Sequence, residues 1–253
     1  MLPLREIRPR PSTSTPVVVW ALVTANVFVF LAEQALSLLG LDRAVLEWSF
    51  VPQVLSKVDP LHGLLTVFSS MFMHAGWFHL AGNLWFLFFF GRAVEEALGH
   101  RRFAVLYLAS GVAAALAQFA IDTASPIPMV GASGAIGGVL ASYVSLHPRR
   151  RIVTVVPILF IPLLFELPAF LFVVEWFAMN LLRGLGALTV HAKGGVAWFA
   201  HLGGFVTGLV LVRAIFPGQT RGRRVRRPHR PSLDVEVRAP SGRRYVSSTV
   251  WPK

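Results

Sequence analysis

The sequence predicts an all-α, polytopic membrane protein with six transmembrane helices. Of the 253 residues, 55% are hydrophobic and only 14% are charged, which is unlike a soluble globular domain. Six apolar stretches have about the length needed to cross a bilayer. Most of the charged residues fall in the links between these stretches or in the two terminal segments.

The six spans are predicted from the apolar runs and from the glycines, prolines and arginines that interrupt them. We expect them at about 17–39, 78–94, 103–121, 132–147, 167–186 and 196–215. The long connection over 40–77 is rich in aromatic residues and is expected to lie at the membrane interface. Residues 152–166 are apolar but broken by prolines, so we interpret them as an interfacial or re-entrant segment.

The domain organisation follows from these spans. Residues 1–16 form a basic N-terminal arm, and residues 17–215 form one six-helix transmembrane domain. Residues 216–253 are basic, contain prolines and show little periodicity, so this tail is expected to be disordered.

The distribution of positive charge predicts the orientation in the membrane. When six spans alternate, the N-terminal arm, two of the links and the tail share one side, and they hold 20 of the 24 Lys and Arg residues. Because positive residues accumulate on the cytoplasmic side, both termini are predicted to be cytoplasmic in a multi-pass protein of the cell membrane. The net charge of +12 is then explained by topology and by anionic lipid, with no nucleic acid as partner.

The absence of cysteine excludes a disulfide framework and a thiol nucleophile.

The most informative stretch is 129–138, in which Ser133 stands among glycines and alanines. Such a stretch is typical of closely packed transmembrane helices, so packing alone would explain it. A serine becomes a nucleophile only when a neighbouring base accepts its proton. Whether Ser133 is reactive therefore depends on the other polar residues at the same depth.

Three further polar residues are expected near Ser133. His201 lies about five residues into the sixth span, and His79 and Asn83 begin the second span. The second and sixth spans are both expected to enter the membrane from the non-cytoplasmic side, as the fourth does at Ser133. Polar and ionisable residues inside a bilayer are costly, which makes these four candidates for a functional site.

Glycines predict how the fourth and sixth spans meet. Gly204 and Gly208 form a small-x-x-x-small face on the sixth span, and Gly131 and Gly134 stand at the start of the fourth. If these glycines are helix-packing residues, the close crossing brings His201 within hydrogen-bonding reach of Ser133. His201 could then act as general base toward a Ser133 nucleophile.

Two roles are possible for His79 and Asn83 together, and a third is possible for His79 alone. Four residues apart on one helix face, they could donate hydrogen bonds to the oxyanion of a tetrahedral intermediate, together with the Ser133 N–H. They could instead cap and link helices. A metal site built from His74, His79 and His201 is disfavoured, because the set holds no acidic residue and the chain has no His-Glu-x-x-His motif. We predict neither a metal nor a cofactor.

Three motifs on the second, fourth and sixth spans resemble those of the rhomboid family of intramembrane serine proteases. They are His79-Leu80-Ala81-Gly82-Asn83, Gly131-Ala132-Ser133-Gly134 and Ala200-His201-Leu202-Gly203-Gly204-Phe205-Val206-Thr207-Gly208. The resemblance implies the six-helix rhomboid fold and a Ser–His dyad, without an aspartate, that cleaves transmembrane segments near their ends. It also implies that Ser133 is the nucleophile, His201 the base, and His79 and Asn83 the oxyanion donors.

Two departures from the family and two alternatives accompany this interpretation, and one departure is that the Trp-Arg pair found in the first connection of some members is absent from 40–77. Many members have an aromatic residue four positions after the serine, packed on the histidine, whereas this chain has Gly137. Trp198 or a residue of the fifth span is then the candidate to replace it. The main alternative is a non-catalytic relative that binds the transmembrane helices of client proteins. A channel or transporter is disfavoured because no inverted repeat is visible. The expected partners are transmembrane protein substrates and membrane lipids.

Overall fold

Helices dominate the computed structural model, which describes residues 1–7, 14–158, 161–190, 197–215, 234–238 and 244–248. The elements of the first compact unit are, in chain order, β1 (Leu2–Glu6), α1 (Val17–Leu38), α2 (Asp42–Glu47), a π-helical turn (Val54–Val58), α3 (Pro60–Ser69), a short 3-10 turn (Ser70–Phe72), α4 (Trp77–Leu98), α5 (His100–Ile121), α6 (Ser133–Leu146), β2 (Arg151–Ile158), β3 (Ile161–Pro168), α7 (Ala169–Val190), α8 (Trp198–Val210) and a π-helical turn (Leu211–Ile215). The predicted six-helix membrane fold is confirmed, with α1 and α4 to α8 at the six predicted spans.

The six helices differ in length. Helices α1, α5 and the part of α7 over Ala169–Gly186 are long and apolar enough to cross a membrane. Helices α6 and α8 are shorter apolar helices. Fourteen residues of α6 extend about 20 Å, and its residues from Gly134 to Tyr143 are all buried. This helix is therefore the centre of the bundle, and it packs mainly against α4, α5 and α8.

The connection between α1 and α4 contains helices α2 and α3. Pro60 begins α3, and the Asp59 side chain caps it by accepting a hydrogen bond from the His62 N–H at 3.0 Å. Earlier in the connection, the fully buried Phe50 exchanges two backbone hydrogen bonds with Met129, at 3.1 and 2.8 Å. The connection is thereby bonded to the loop that precedes α6.

The segment predicted to be interfacial or re-entrant, 152–166, contributes the paired strands β2 and β3, a secondary structure that was not predicted for it. The two strands pair as an antiparallel hairpin, and β1 adds to β2 as the third strand in the order β1-β2-β3. The run Ile152-Val153-Thr154-Val155-Val156 is β-branched throughout, which favours an extended chain. Pro157 and Pro162 pair with each other near the end of the hairpin, a position that strands tolerate better than their centre.

The N-terminal arm is bound to the bundle through this sheet. The Tyr143 hydroxyl at the end of α6 donates to the Glu6 carboxylate at 2.6 Å, and Arg150 forms an ion pair with the same carboxylate. The Trp85 indole N–H of α4 donates to the Pro3 carbonyl oxygen at 2.7 Å. Because the sheet follows the C-terminal end of α6, whereas Ser133 begins it, we call the two ends of the bundle the sheet end and the site end.

A second compact unit comprises Gly222–Lys253. Within it, strands β4 (Asp234–Arg238) and β5 (Arg244–Ser248) pair antiparallel. These two stretches have a described structure although the tail was predicted to be disordered. The prediction for the rest of 216–253 lies outside the described residues.

Candidate active site

Ser133 and His201 are in direct contact at the site end of the bundle. Ser133 is the first residue of α6, and His201 lies in the first turns of α8. The Ser133 Oγ and the His201 Nε2 are 2.7 Å apart, which is within hydrogen-bonding distance. The structure thus brings together the two side chains that the sequence predicted would meet.

The contact depends on the close approach of α6 and α8. A Cβ placed on Gly204 would overlap the carbonyl oxygen of Gly134, and a Cβ on Gly208 would overlap the backbone of Gly138. The two helices therefore cross with their backbones touching, as the small-x-x-x-small pattern predicted. Any larger residue at Gly204 or Gly208 would push α8 away from α6 and move His201 away from Ser133.

Gly131 does not pack helices, contrary to the prediction. It lies two residues before α6 with a φ of 124°, a conformation that favours glycine. Its N–H donates to the Ser70 carbonyl oxygen at 2.8 Å, which fixes the loop. A Cβ on Gly131 would lie 2.8 Å from the His79 Nε2 and 3.5 Å from the Asn83 Nδ2. The missing side chain therefore leaves a small space between these two groups.

His79 and Asn83 both face this space from α4. Asn83 is 7% exposed, and its Nδ2 is buried without a hydrogen-bond partner among the described residues. A buried amide donor without a partner is costly, and it becomes satisfied when an acceptor enters. The arrangement suits an anionic oxygen that would accept from His79, from Asn83 and from the unbonded N–H groups at the start of α6.

A cavity of about 560 Å³ contains all four predicted residues. His79, Asn83, Ser133 and His201 line it together with apolar side chains, among them Phe86. Its size and its mixed lining are those of a site for a small ligand or a short peptide segment. The polar groups converge on one wall, so a bound carbonyl group would meet them together.

Aromatic side chains hold the His201 ring. The Trp176 ring of α7 lies 5.8 Å from it, and the Trp198 ring lies 6.0 Å from it in an edge-on arrangement. A Cβ on Gly137 would come within 3.3 Å of the Trp176 Cη2. The small residue at 137 thus makes room for Trp176, which supplies the aromatic contact from the fifth span.

Asn180 is a site residue that the sequence analysis missed. It lies on α7, is 6% exposed, and its Oδ1 is 2.5 Å from the His201 Nδ1. The available signal was a polar amide in the middle of an apolar span. Its partner could not be read from the sequence because the spacing of residues in α7 does not show which of its faces meets α8.

The residues of the alternative metal site have other partners. His74 packs edge-on against His79, with ring centroids 5.2 Å apart, and its Nδ1 bonds the Phe72 carbonyl oxygen at 3.1 Å. Within the part of the chain that the structure describes, no three His, Asp or Glu side chains are grouped closely enough to bind a metal ion.

The fold and the site define a class: polytopic helical membrane proteins with a serine and a histidine in contact between two glycine-packed helices. The rhomboid domain model matches residues 62–218, which is more than half of the chain. The chain belongs to the rhomboid family.

Named relatives agree with this assignment. The chain is 32% identical over 197 residues to the presenilin-associated rhomboid-like protein, mitochondrial, of Bos taurus, covering 76% of this chain and 46% of that protein. It is 29% identical over 202 residues to rhomboid protein 1, mitochondrial, of Saccharomyces cerevisiae, covering 76% and 51%. Over 80 residues it is 44% identical to the rhomboid protease GluP of Bacillus subtilis, covering 31% and 15%. The chain thus spans about half the length of the first two relatives.

Proposed function

We propose that this protein is an intramembrane serine endopeptidase that cleaves transmembrane segments of other membrane proteins. The observation that carries the proposal is the 2.7 Å contact between the Ser133 Oγ and the His201 Nε2 beside a cavity inside the helical bundle. One relative in the family, GluP of Bacillus subtilis, is named a rhomboid protease, which supports the proposal. A histidine that accepts the proton of an adjacent serine is one of the established arrangements for nucleophilic catalysis.

In the proposed reaction, the Ser133 Oγ attacks the carbonyl carbon of the scissile peptide bond while the His201 Nε2 accepts the hydroxyl proton. The tetrahedral intermediate collapses when His201 gives that proton to the leaving amine, which leaves an acyl ester on Ser133. Water then repeats the sequence on the ester, with His201 again as the base, and the carboxylic acid product leaves. Each step moves one proton to or from the His201 Nε2, which contacts the Ser133 Oγ at 2.7 Å.

The oxyanion of each intermediate would occupy the space left by the missing side chain of Gly131. There it would accept hydrogen bonds from the His79 Nε2 and the Asn83 Nδ2, both within about 3.5 Å of the position that a Cβ would take. These donors are in place before substrate arrives, and Asn83 is buried while His79 is half-buried, so each is worth roughly 3 kcal/mol in the transition state.

Transmembrane substrates fit the position of the site. Ser133 begins a helix whose C-terminal end is about 20 Å away at the sheet end, so the reactive group lies near one surface of the bilayer. Water could reach such a shallow site from that surface, whereas the bilayer centre excludes it. A substrate helix would have to unwind locally, because a peptide bond within a helix is not accessible to a nucleophile.

We also propose that the sheet end faces the cytoplasm of a cell and that the site end faces away from it. The support is the concentration of Lys and Arg in the N-terminal arm, in the links at the sheet end and in the tail. Two of the relatives carry mitochondrial in their names, so the membrane in which this chain resides is part of the test. Tagging each terminus and probing its accessibility in intact cells would distinguish the two orientations.

The test of the enzymatic proposal is cleavage of a reporter protein with one transmembrane segment, reconstituted with the purified protein in liposomes. The variants Ser133→Ala and His201→Ala should each reduce cleavage at least about 10³-fold. Ser145→Ala is the matched control, because Ser145 lies on the same helix and, among the described residues, its hydroxyl bonds the Ala141 carbonyl oxygen at 2.9 Å. A fluorophosphonate probe should label Ser133 in the wild-type protein and should not label the His201→Ala variant.

Retained cleavage in Ser133→Ala would contradict the proposal. Binding of the reporter without cleavage or probe labelling in the wild-type protein would instead favour a rhomboid-like protein that binds client helices.

A further inference from the structure

We propose that Asn180 is a positioning residue that fixes the tautomer and the orientation of His201, so that the site operates as Ser133–His201–Asn180. This inference rests on the proposed function and adds a third member to the pair. Its basis is the contact of 2.5 Å between the Asn180 Oδ1 and the His201 Nδ1, on the side of the ring opposite Ser133.

The orientation of the Asn180 amide follows from its second contact. Its Nδ2 donates to the Trp176 carbonyl oxygen, one turn earlier on α7, at 2.7 Å. With the amide reversed, the Oδ1 would face that carbonyl oxygen, and two acceptors would meet. The carbonyl of Trp176 therefore requires that the Asn180 Oδ1, which is an acceptor, points at His201.

An acceptor at the Nδ1 requires that the Nδ1 carries the proton. The neutral imidazole has a single N–H, so its Nε2 then presents a lone pair to the Ser133 hydroxyl 2.7 Å away. This is the tautomer that a general base needs. In the other tautomer the Nε2 would carry the hydrogen, and it could not accept the serine proton.

A neutral amide also suits the buried position of residue 180. Asn180 is 6% exposed, so a carboxylate in its place would need compensation for its burial. A neutral amide oxygen accepts from the imidazole before the reaction and from the imidazolium during it, without adding a buried charge. The chain can therefore lack an acidic third member and still hold its base.

Helix α7 directs several side chains toward His201 from one face. Trp176, Asn180 and Arg183 are spaced by four and three residues, which places them on the same side of the helix. The first two contact His201 directly, and the Arg183 guanidinium lies 5.3 Å from the Trp198 ring, which itself packs on His201. The rotation of α7 about its axis therefore sets the position of the base.

The test uses Asn180→Leu in the full-length protein, because leucine is close to asparagine in size and lacks the acceptor. We expect kcat for the transmembrane reporter to fall about 10²-fold while KM changes less than about twofold, since substrate binding is not affected. The rate of fluorophosphonate labelling at Ser133 should fall in parallel. The thermal midpoint of unfolding is recorded for every variant.

Asn26→Leu is the matched control. Asn26 is also buried, and its Nδ2 also donates to the carbonyl oxygen four residues earlier, Leu22, at 2.6 Å, but it lies on α1. This variant removes the same kind of bond without changing any partner of His201. It should keep the wild-type kcat even if its thermal midpoint falls.

The tautomer provides a readout that does not depend on catalysis. In ¹⁵N-histidine-labelled protein, the His201 signals, assigned by their absence in His201→Ala, should show a protonated Nδ1 in the wild type and a mixture of tautomers in Asn180→Leu. A wild-type His201 protonated at the Nε2 would overturn the proposal, whether or not the protein proves to be a protease. Unchanged kcat in Asn180→Leu would overturn it too, as would a loss of kcat with unchanged tautomers.

Discussion

A Cβ on Gly204 would overlap the carbonyl oxygen of Gly134, because α8 crosses α6 at this point with backbone against backbone. His201 lies one turn before Gly204 and Ser133 lies next to Gly134. The crossing therefore sets the distance between the two reactive side chains. A protein that needs this contact cannot accept a larger residue at Gly204.

Gly204→Ala should separate the two helices and remove reporter cleavage. The displaced atom is a backbone oxygen, which cannot rotate away, so we also expect a loss of stability of about 2 kcal/mol. Gly186→Ala on α7 is the control, because a Cβ there meets no atom of the described residues within 4 Å and alanine favours a helix. Cleavage assays and thermal unfolding in detergent would measure both effects. Wild-type cleavage by Gly204→Ala would show that the crossing does not set the reactive contact.

Gly131→Ala should abolish activity by filling the space proposed for the oxyanion. The new methyl group would lie 2.8 Å from the His79 Nε2, and the φ of 124° would add backbone strain of about 1–3 kcal/mol. Gly99→Ala separates the two effects, since Gly99 has a φ of 81° but no atom within 4 Å of its Cβ position. We expect both variants to unfold at lower temperature and only Gly131→Ala to lose kcat, by about 10²-fold or more. Equal losses of kcat in the two variants would argue against the oxyanion assignment.

The contact between Ser133 and His201 could be predicted from the sequence because it depends on short sequence patterns, each of which can be recognised within one span. A small-x-x-x-small pattern predicts close helix crossing wherever it occurs, and counting residues along each span gives the depth. The glycines at 204 and 208 therefore identified the partner of α6. The role of Gly131 could not be predicted, because its positive φ is set by a hydrogen bond to Ser70, 61 residues earlier.

The hairpin of β2 and β3 and the role of Asn180 were not predicted either, and both omissions have physical causes. The hairpin of β2 and β3 was missed because its prolines suggested a broken membrane segment, although the β-branched run over 152–156 favours a strand. Asn180 was missed because nearly every face of α7 is apolar, so its periodicity does not reveal the side that meets α8. In a membrane, lipid-facing and protein-facing residues are equally hydrophobic, and this removes the signal that reveals a buried face in soluble helices.

Glu95→Gln should lower the stability of the bundle by weakening the start of α1. The Glu95 carboxylate of α4 accepts hydrogen bonds from the N–H groups of Val18 and Val19, both at 2.8 Å, and from the His100 Nδ1 at 2.5 Å. It is 1% exposed and lies at the N-terminal end of α1, where a negative charge is favourable. We expect a loss of about 1–3 kcal/mol in unfolding experiments with SDS. Glu47→Gln, at an exposed position of α2, is the control, and a loss of similar size there would contradict the capping role.

His74 should contribute to a decrease in the stability of the protein as the pH falls from about 6.5 to about 4. This residue precedes α4 and is 4% exposed; its burial, together with the nearby His79, lowers its pKa from 6.5 to about 4. The His74 Nδ1 bonds the Phe72 carbonyl oxygen at 3.1 Å, which favours the buried orientation of the ring. Between these two pH values the unfolded chain binds a proton at His74 and the folded protein does not, so acid favours unfolding.

The full effect of His74 is about 3 kcal/mol at pH 4 and is absent above the ordinary pKa of a histidine. His74→Asn should weaken the dependence of the thermal midpoint on pH, because asparagine does not titrate. Its Nδ2 can still donate to the Phe72 carbonyl oxygen in place of the His74 Nδ1, so the local structure is retained. His62→Asn, in α3, is the control and should keep the wild-type dependence, since the His62 ring bonds the Glu47 carbonyl oxygen at an exposed position. If His74→Asn retains the full loss of stability between pH 6.5 and 4, another buried group is responsible and the assignment to His74 is wrong.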